Sequence, residues 1–152
     1  LVTQAQVFHS LRRLRDELEA GKFAAAHVVW AWDGDPTLSI AATKVDVTRA
    51  EVQRFSNNLE FTFIIRLFSE FEAVLREYWL NGLGRPTTPP IFDLIDSVGR
   101  RIGISAVDLA AAHAVREFRN KVVHESLREG GLDFTKCLGN LGRFARWLPS
   151  RW

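Results

Sequence analysis

The segment from Thr48 to Leu80, TRAEVQRFSNNLEFTFIIRLFSEFEAVLREYWL, limits what the chain can fold into more than any other. Its first four residues carry the capping-box pattern, in which the Thr48 hydroxyl caps an amide of the first turn and Glu51 returns the bond. Apolar residues then recur with a helical period, so the segment reads as one helix from about residue 48 to residue 80, closed by Asn81 and Gly82. On a helical wheel with Phe68 at zero, Phe61, Ile64, Leu75 and Trp79 fall within about 40° of it, and so does Glu72. A carboxylate on an apolar stripe has to be paired or protonated, because burying an unpaired charge costs several kcal/mol. Arg119 is the expected partner, with Arg76 the local alternative. Glu70 and Glu77 fall on the solvated side.

The rest of the chain has the same character. Val7, Leu11, Leu14 and Leu18 predict a helix from Thr3 to Ala20 that stops at Gly21. FAAAHVVWAW, residues 23–32, predicts a further helical stretch, although HVVWAW also suits a short buried strand. DGDP, residues 33–36, breaks the chain, and Leu38 to Val45 reads as loop with room for an extended piece. After the loop GLGRPTTPP, residues 82–90, a short helix runs from Ile91 to about Arg101. Ser105 caps the next helix, which runs to near Gly130 and Gly131, and a last helix covers about Asp133 to Leu148. There is no repeat, low-complexity tract or long linker. The expectation is a single domain over residues 1–152, an all-α, up-and-down bundle of five to six helices.

Composition narrows the function. With 47% hydrophobic and 25% charged residues the chain reads as an ordinary globular domain, and a net charge of +2 excludes a histone-like field. No apolar run approaches the roughly 20 residues needed to cross a bilayer, and the charges near the amino end do not suit a signal peptide. No membrane partner and a cytoplasmic location are therefore expected. The lack of any Met suggests a trimmed chain. Cys137, the one cysteine, allows neither an internal disulfide nor a zinc cluster, and Asp33 and Asp35 belong to a turn; no metal is expected. His9, His27 and His113 have no ligand spacing. Sixteen Arg against four Lys suit RNA binding, although a GC-rich genome enriches Arg by itself.

Position matters more than number at FRNKVVHES, residues 118–126. On a wheel with Phe118 at zero, Ala111, Val115, Phe118 and Val122 make a core stripe. Arg119 lies about 100° from Phe118, Arg116 about 160°, Asn120 about 200°, His113 about 220° and His124 about 240°. Val123 and Leu127 sit among these polar residues. So mixed a face suits contact with another chain or a ligand.

FRNKVVHE resembles the R-x4-6-H motif, with a polar residue after the Arg, of HEPN-domain ribonucleases. LFSEFEAVLREYW is similar to the family's earlier helix, which commonly contributes an acidic residue toward the motif Arg; the likeness in helix order covers roughly residues 48–148. It implies an all-α bundle that forms a homodimer with both motifs at a shared cleft, and metal-independent endoribonuclease activity without a cofactor. Arg119, His124 and Asn120 would be catalytic, Glu72 and Arg116 supporting, and Arg116, His113 and Lys121 would bind RNA. The residue types suit that reaction: an imidazole titrates near neutrality and can move protons at the ribose 2′-hydroxyl and the leaving 5′-oxygen, and a guanidinium can hold phosphate oxygens as charge develops. Asn120 would orient the imidazole or the phosphate. The products would be a 2′,3′-cyclic phosphate and a 5′-hydroxyl. The resemblance further implies a toxin or defence effector, with an antitoxin or larger assembly as partner. Where toxins paired with a minimal nucleotidyltransferase carry Tyr two residues after the His, this chain has Ser126, which puts control by nucleotide addition in doubt. The alternatives are an inactive HEPN-like module for RNA binding or protein assembly, and a helical interaction protein in which the motif is coincidental. The tail RFARWLPSRW reads as a terminal helix docked on the bundle, and Gly139 and Gly142 would allow close helix approach, as at a dimer contact.

Overall fold

Local capping chemistry accounts for where the helices begin. In the computed structural model, which describes residues 2–124 and 131–152, the Thr3 hydroxyl accepts from the Gln6 amide and the Gln6 side chain from that of Thr3, opening α1 (Gln4–Ala31). Asp35 accepts from the Thr37 amide and Pro36 occupies the first turn of α2 (Pro36–Lys44). The Thr48–Glu51 box opens α3 (Arg49–Glu77), as its sequence predicts. A π-helical turn, Tyr78–Gly82, prolongs α3, and after the loop come α4 (Ile91–Ile102), α5 (Ala106–His124) and α6 (Phe134–Ala145). Ser105 caps α5 and Asp133 caps α6. The expected continuation of α5 toward Gly130 lies outside the described residues.

Two expectations need correction. Gly21 does not end a helix: α1 runs through it without a break. A Cβ at that position would stand 2.9 Å from Leu59 Cδ2, so glycine is there because α1 and α3 approach closely. DGDP does break the chain, ending α1, but residues 36–44 are helix rather than loop, since its Asp35 caps and its Pro36 opens the next helix.

The chain folds as an all-α bundle of six α-helices among the described residues. Contacts between Gly21 and Leu59, Lys22 and Glu60, and Glu17 and Arg66 set α1 antiparallel to α3. Asn140 reaches the Ala111 carbonyl and Arg143 reaches Asp108, which sets α6 antiparallel to α5. The four longer-paired helices α1, α3, α5 and α6 thus alternate in direction, α4 packs on α5, and α2 sits at the far tip of the α1–α3 hairpin. Leu14, Leu18, Ile64, Leu67, Phe68, Phe71, Leu94, Ile95, Leu141 and Phe144 fill the core. The tail docks on the bundle: Trp147 Nε1 donates to Asp108, Trp152 packs edge-on to Tyr78, and the Gln4 amide donates to the carbonyls of Ala145, Arg146 and Leu148. A Cβ on Gly139 would meet nothing within 4 Å and one on Gly142 would stand 3.9 Å from Phe8 Cε1 of α1; both glycines border a groove with Arg12 and Arg146. No helix among the described residues is long and apolar enough to cross a membrane.

The caps carry a pH signature. Hydrogen bonds from the Thr37 side chain hold the Asp35 carboxyl below its ordinary range, the Thr48 amide does the same for Glu51, the Lys136 amide for Asp133, and the Trp147 indole for Asp108. A carboxyl whose folded pKa lies below its unfolded value of about 4 stabilises the fold above that value and loses the contribution as pH falls through the folded one. The thermal midpoint should therefore hold from neutrality to about pH 5 and decline below about pH 4. A midpoint steady down to strongly acid pH would show that these carboxylates contribute nothing.

Candidate functional site

The most buried residues of α5 are Ala112 and Val115, both at 0% exposure, so its buried arc is centred between them. On the wheel that direction lies at roughly 60–120° from Phe118, and Arg119, at about 100°, falls within it. The sequence stripe through Ala111, Phe118 and Val122 is offset from this arc, and those three residues are only partly buried. Arg119 is accordingly a packed side chain, 23% exposed, and not a residue at the edge of the core face. Its guanidinium lies 4.8 Å from the centre of the Phe68 ring, an arrangement in which the ring face attracts the cation.

Glu72 stands beside it, 24% exposed, on the rim of the α3 stripe. Its Oε2 is 3.7 Å from Arg119 Nη2, so the expected pair is present, but the shorter bonds go to Arg76: Oε1 accepts from Nε at 2.9 Å and from Nη2 at 2.6 Å. The reason is local, since Arg76 is one turn further along the same helix. Arg76 Nη1 also donates to the Pro89 carbonyl at 3.2 Å, tying the loop before α4 to the cluster. One carboxylate thus serves two guanidiniums, which leaves the cluster one positive charge in excess.

Asn120 bonds to its neighbour on α5 and makes no bond to His124 within the chain. Its Oδ1 accepts from Arg119 Nη1 at 3.0 Å, so it holds the arginine from the side opposite Glu72. His124 is exposed and is the last described residue of α5, and Lys121 is exposed as well. Ser126 and Leu127 lie outside the described residues.

His113 and Arg116 face α4. His113 Nε2 is 2.8 Å from Asp96 Oδ1, its ring is 4.7 Å from that of Phe92, and the Arg116 guanidinium covers the same Phe92 ring at 5.0 Å. Residues 113, 116 and 119 follow one another at i, i+3 spacing, so the two clusters adjoin along α5. Among the described residues Arg116 Nε, Arg119 Nε and His113 Nδ1 are buried without a hydrogen-bond partner. The site is therefore a row of guanidiniums, Arg76, Arg119 and Arg116, with Phe68 beneath Arg119 and Phe92 beneath Arg116, while His124 leaves α5 about 140° away from Arg119. Such a row can hold phosphate oxygens, and the half-exposed Phe92 ring can meet a base.

Nothing in the sequence marks Phe68 as a support, nor Phe92, Asp96 or the Pro89 carbonyl as partners. Phe92 and Asp96 stand four apart in IFDLIDSVGR, a spacing that puts them on one face of α4, but nothing local says which helix that face meets. Among the described residues no group of three or more His, Cys, Asp or Glu side chains is gathered in a way that could hold a metal ion. Asp35 caps α2, and Asp33 stands 3.8 Å from Arg49.

Glu72→Gln keeps the shape of this centre and removes its carboxylate. Because about a quarter of the Glu72 and Arg119 side chains meets water, the cost should be on the order of 1 kcal/mol, read from the urea midpoint. Affinity for a phosphate-bearing ligand should rise, since the site gains positive charge and Arg119 loses its acidic partner. A variant with parental stability and parental affinity would leave Glu72 no part in the site. Compared with known protein families, with characterised proteins and with solved structures, the chain matches none.

Proposed function

We propose that this chain is a metal-independent endoribonuclease of HEPN type, in which Arg119 stabilises the charge that develops on the phosphate and His124 moves the proton. The observation that carries the reading is Arg119 itself: its guanidinium is held by Phe68, Glu72 and Asn120 next to two further guanidiniums, so it is oriented before any substrate arrives. Attack of the ribose 2′-hydroxyl would yield a 2′,3′-cyclic phosphate and a 5′-hydroxyl, and a 2′-deoxy substrate would not react. Such an activity suits a toxin or a defence effector. The test is incubation of a mixed RNA pool with the protein in EDTA, with the ends of the products analysed. Intact RNA at high protein concentration overturns the reading.

Arg119 and His124 leave α5 about 140° apart, which favours a site completed by a second copy. Val123, half exposed at 49% between them, is the residue around which two motif helices would pair. Val123→Glu should then halve the mass seen in sedimentation and reduce cleavage about tenfold or more together. Full cleavage by a variant of unchanged mass would remove the shared cleft from the proposal.

A second reading rests on the same arginine. Arg119 already packs on Phe68 and bonds to Asn120, which also suits an inactive bundle that binds RNA or another protein. Salt-sensitive RNA binding with no cleavage would favour this second reading.

A further inference from the structure

A helix that is apolar all round is ordinarily buried, and the second half of α1 is such a helix lying at the surface. FAAAHVVWAW, residues 23–32, contains no charged residue. Its inner side, with Ala25 buried, packs toward α3, where Gly21 meets Leu59. On its outer side, turned about 180° from Ala25, Phe23 is 76% and Trp30 80% exposed, and His27 stacks between them with ring centres at 6.4 and 5.8 Å. The exposed alanines 20 and 26 flank this ladder.

We propose that this outer face of α1 is the docking surface for a second copy of the chain. Three observations point to that occupant. The two large rings present on the order of 350 Å², taking 150–250 Å² for an aromatic side chain, and the flanking residues bring the face to about 500 Å². Two copies would therefore bury up to about 1,000 Å², the lower limit for a specific contact. Charge is the second. Between residues 20 and 58, the tip of the α1–α3 hairpin, Lys22, Lys44, Arg49 and Arg54 balance Asp33, Asp35, Asp46 and Glu51, so the tip neither attracts a polyanion or an anionic bilayer nor repels its own copy. The third is self-complementarity. A two-fold axis passing between Ala26 and His27 sets Phe23 against the partner's Trp30 on antiparallel helices, with the small alanines leaving room for the rings.

This contact is distinct from the pairing proposed at α5 and does not rest on the ribonuclease reading. Phe23 lies level with about residue 57 of α3, which is roughly 20 Å along that helix from Glu72. Two different two-fold contacts on one chain build tetramers or longer assemblies.

Sedimentation at micromolar concentration tests it. Phe23→Glu combined with Trp30→Glu should lower the mass about twofold and leave the helix content unchanged, because both side chains point to solvent. Ala26→Cys should give a disulfide-linked pair on mild oxidation, even in the Val123→Glu background. The parent should not cross-link, since Cys137 is buried and its thiol is pushed up to about 12. Equal masses for the parent and the double variant, with the introduced thiol unlinked, overturn the proposal. Retention of a monomeric parent on phosphatidylcholine vesicles, lost in the double variant, would also overturn it and assign the face to lipid.

Discussion

His124→Ala should lower RNA cleavage by about 10²–10⁴-fold, the usual contribution of a positioned acid or base, and leave the thermal midpoint and helix content where they are in the parent. The fold should not register the change because His124 is exposed at the described end of α5. Arg119→Ala should abolish cleavage as well, but it should also cost about 1–3 kcal/mol, since the side chain covers Phe68 and partners Glu72 and Asn120. Arg119→Lys separates the two contributions: the charge persists, while the planar fork that reaches Glu72 and Asn120 together is lost. It should retain more stability than activity. Cleavage at the parental rate by folded His124→Ala, measured on a defined RNA oligonucleotide, would remove the imidazole from the reaction.

Phe71→Ala should be the most damaging of these changes to stability, at about 3–5 kcal/mol, because it deletes a large side chain that the surrounding helices cannot collapse to replace. Phe71 is 1% exposed on α3, and its ring meets that of Phe144 on α6 edge-on, at 5.3 Å between centres and 87° between planes. It also lies 6.1 Å from Phe68, the ring under Arg119. A loss of that size is a large share of the roughly 5–15 kcal/mol that holds a typical domain together. A double-mutant cycle with Phe144→Ala should return about 0.5–1.5 kcal/mol for the ring pair beyond its buried area. If the urea midpoint of Phe71→Ala fell by less than that of Leu138→Ala, at a partly buried position, the junction of α3 and α6 would not be where the stability resides.

The helix starts were legible because their chemistry is local. Thr48, Ser105 and Asp133 each satisfy an amide three residues away, and no distant residue can change that arithmetic. Gly21 misleads for the converse reason. A glycine is a stop signal on its own, yet here the free energy of packing α1 against α3 through Leu59 exceeds the roughly 1 kcal/mol that a mid-helix glycine costs.

The site divides along the same line. That Arg119, Asn120 and His124 share one helix and that Glu72 lies on the apolar side of another follows from periodicity, which places each residue around its own axis. Which way those axes turn depends on how the helices pack. Helix α5 packs against α3, α4 and α6 at once, and the direction that buries Ala112 and Val115 also carries Arg119 inward onto Phe68, while Phe118 and Val122 turn partly outward. The bonds from Arg76 to Glu72 and from Arg119 to Asn120 are local to one helix, but Arg119 met Phe68 and Glu72, and His113 met Asp96, because such partners are set by which helices touch, and no wheel drawn for one helix contains that information.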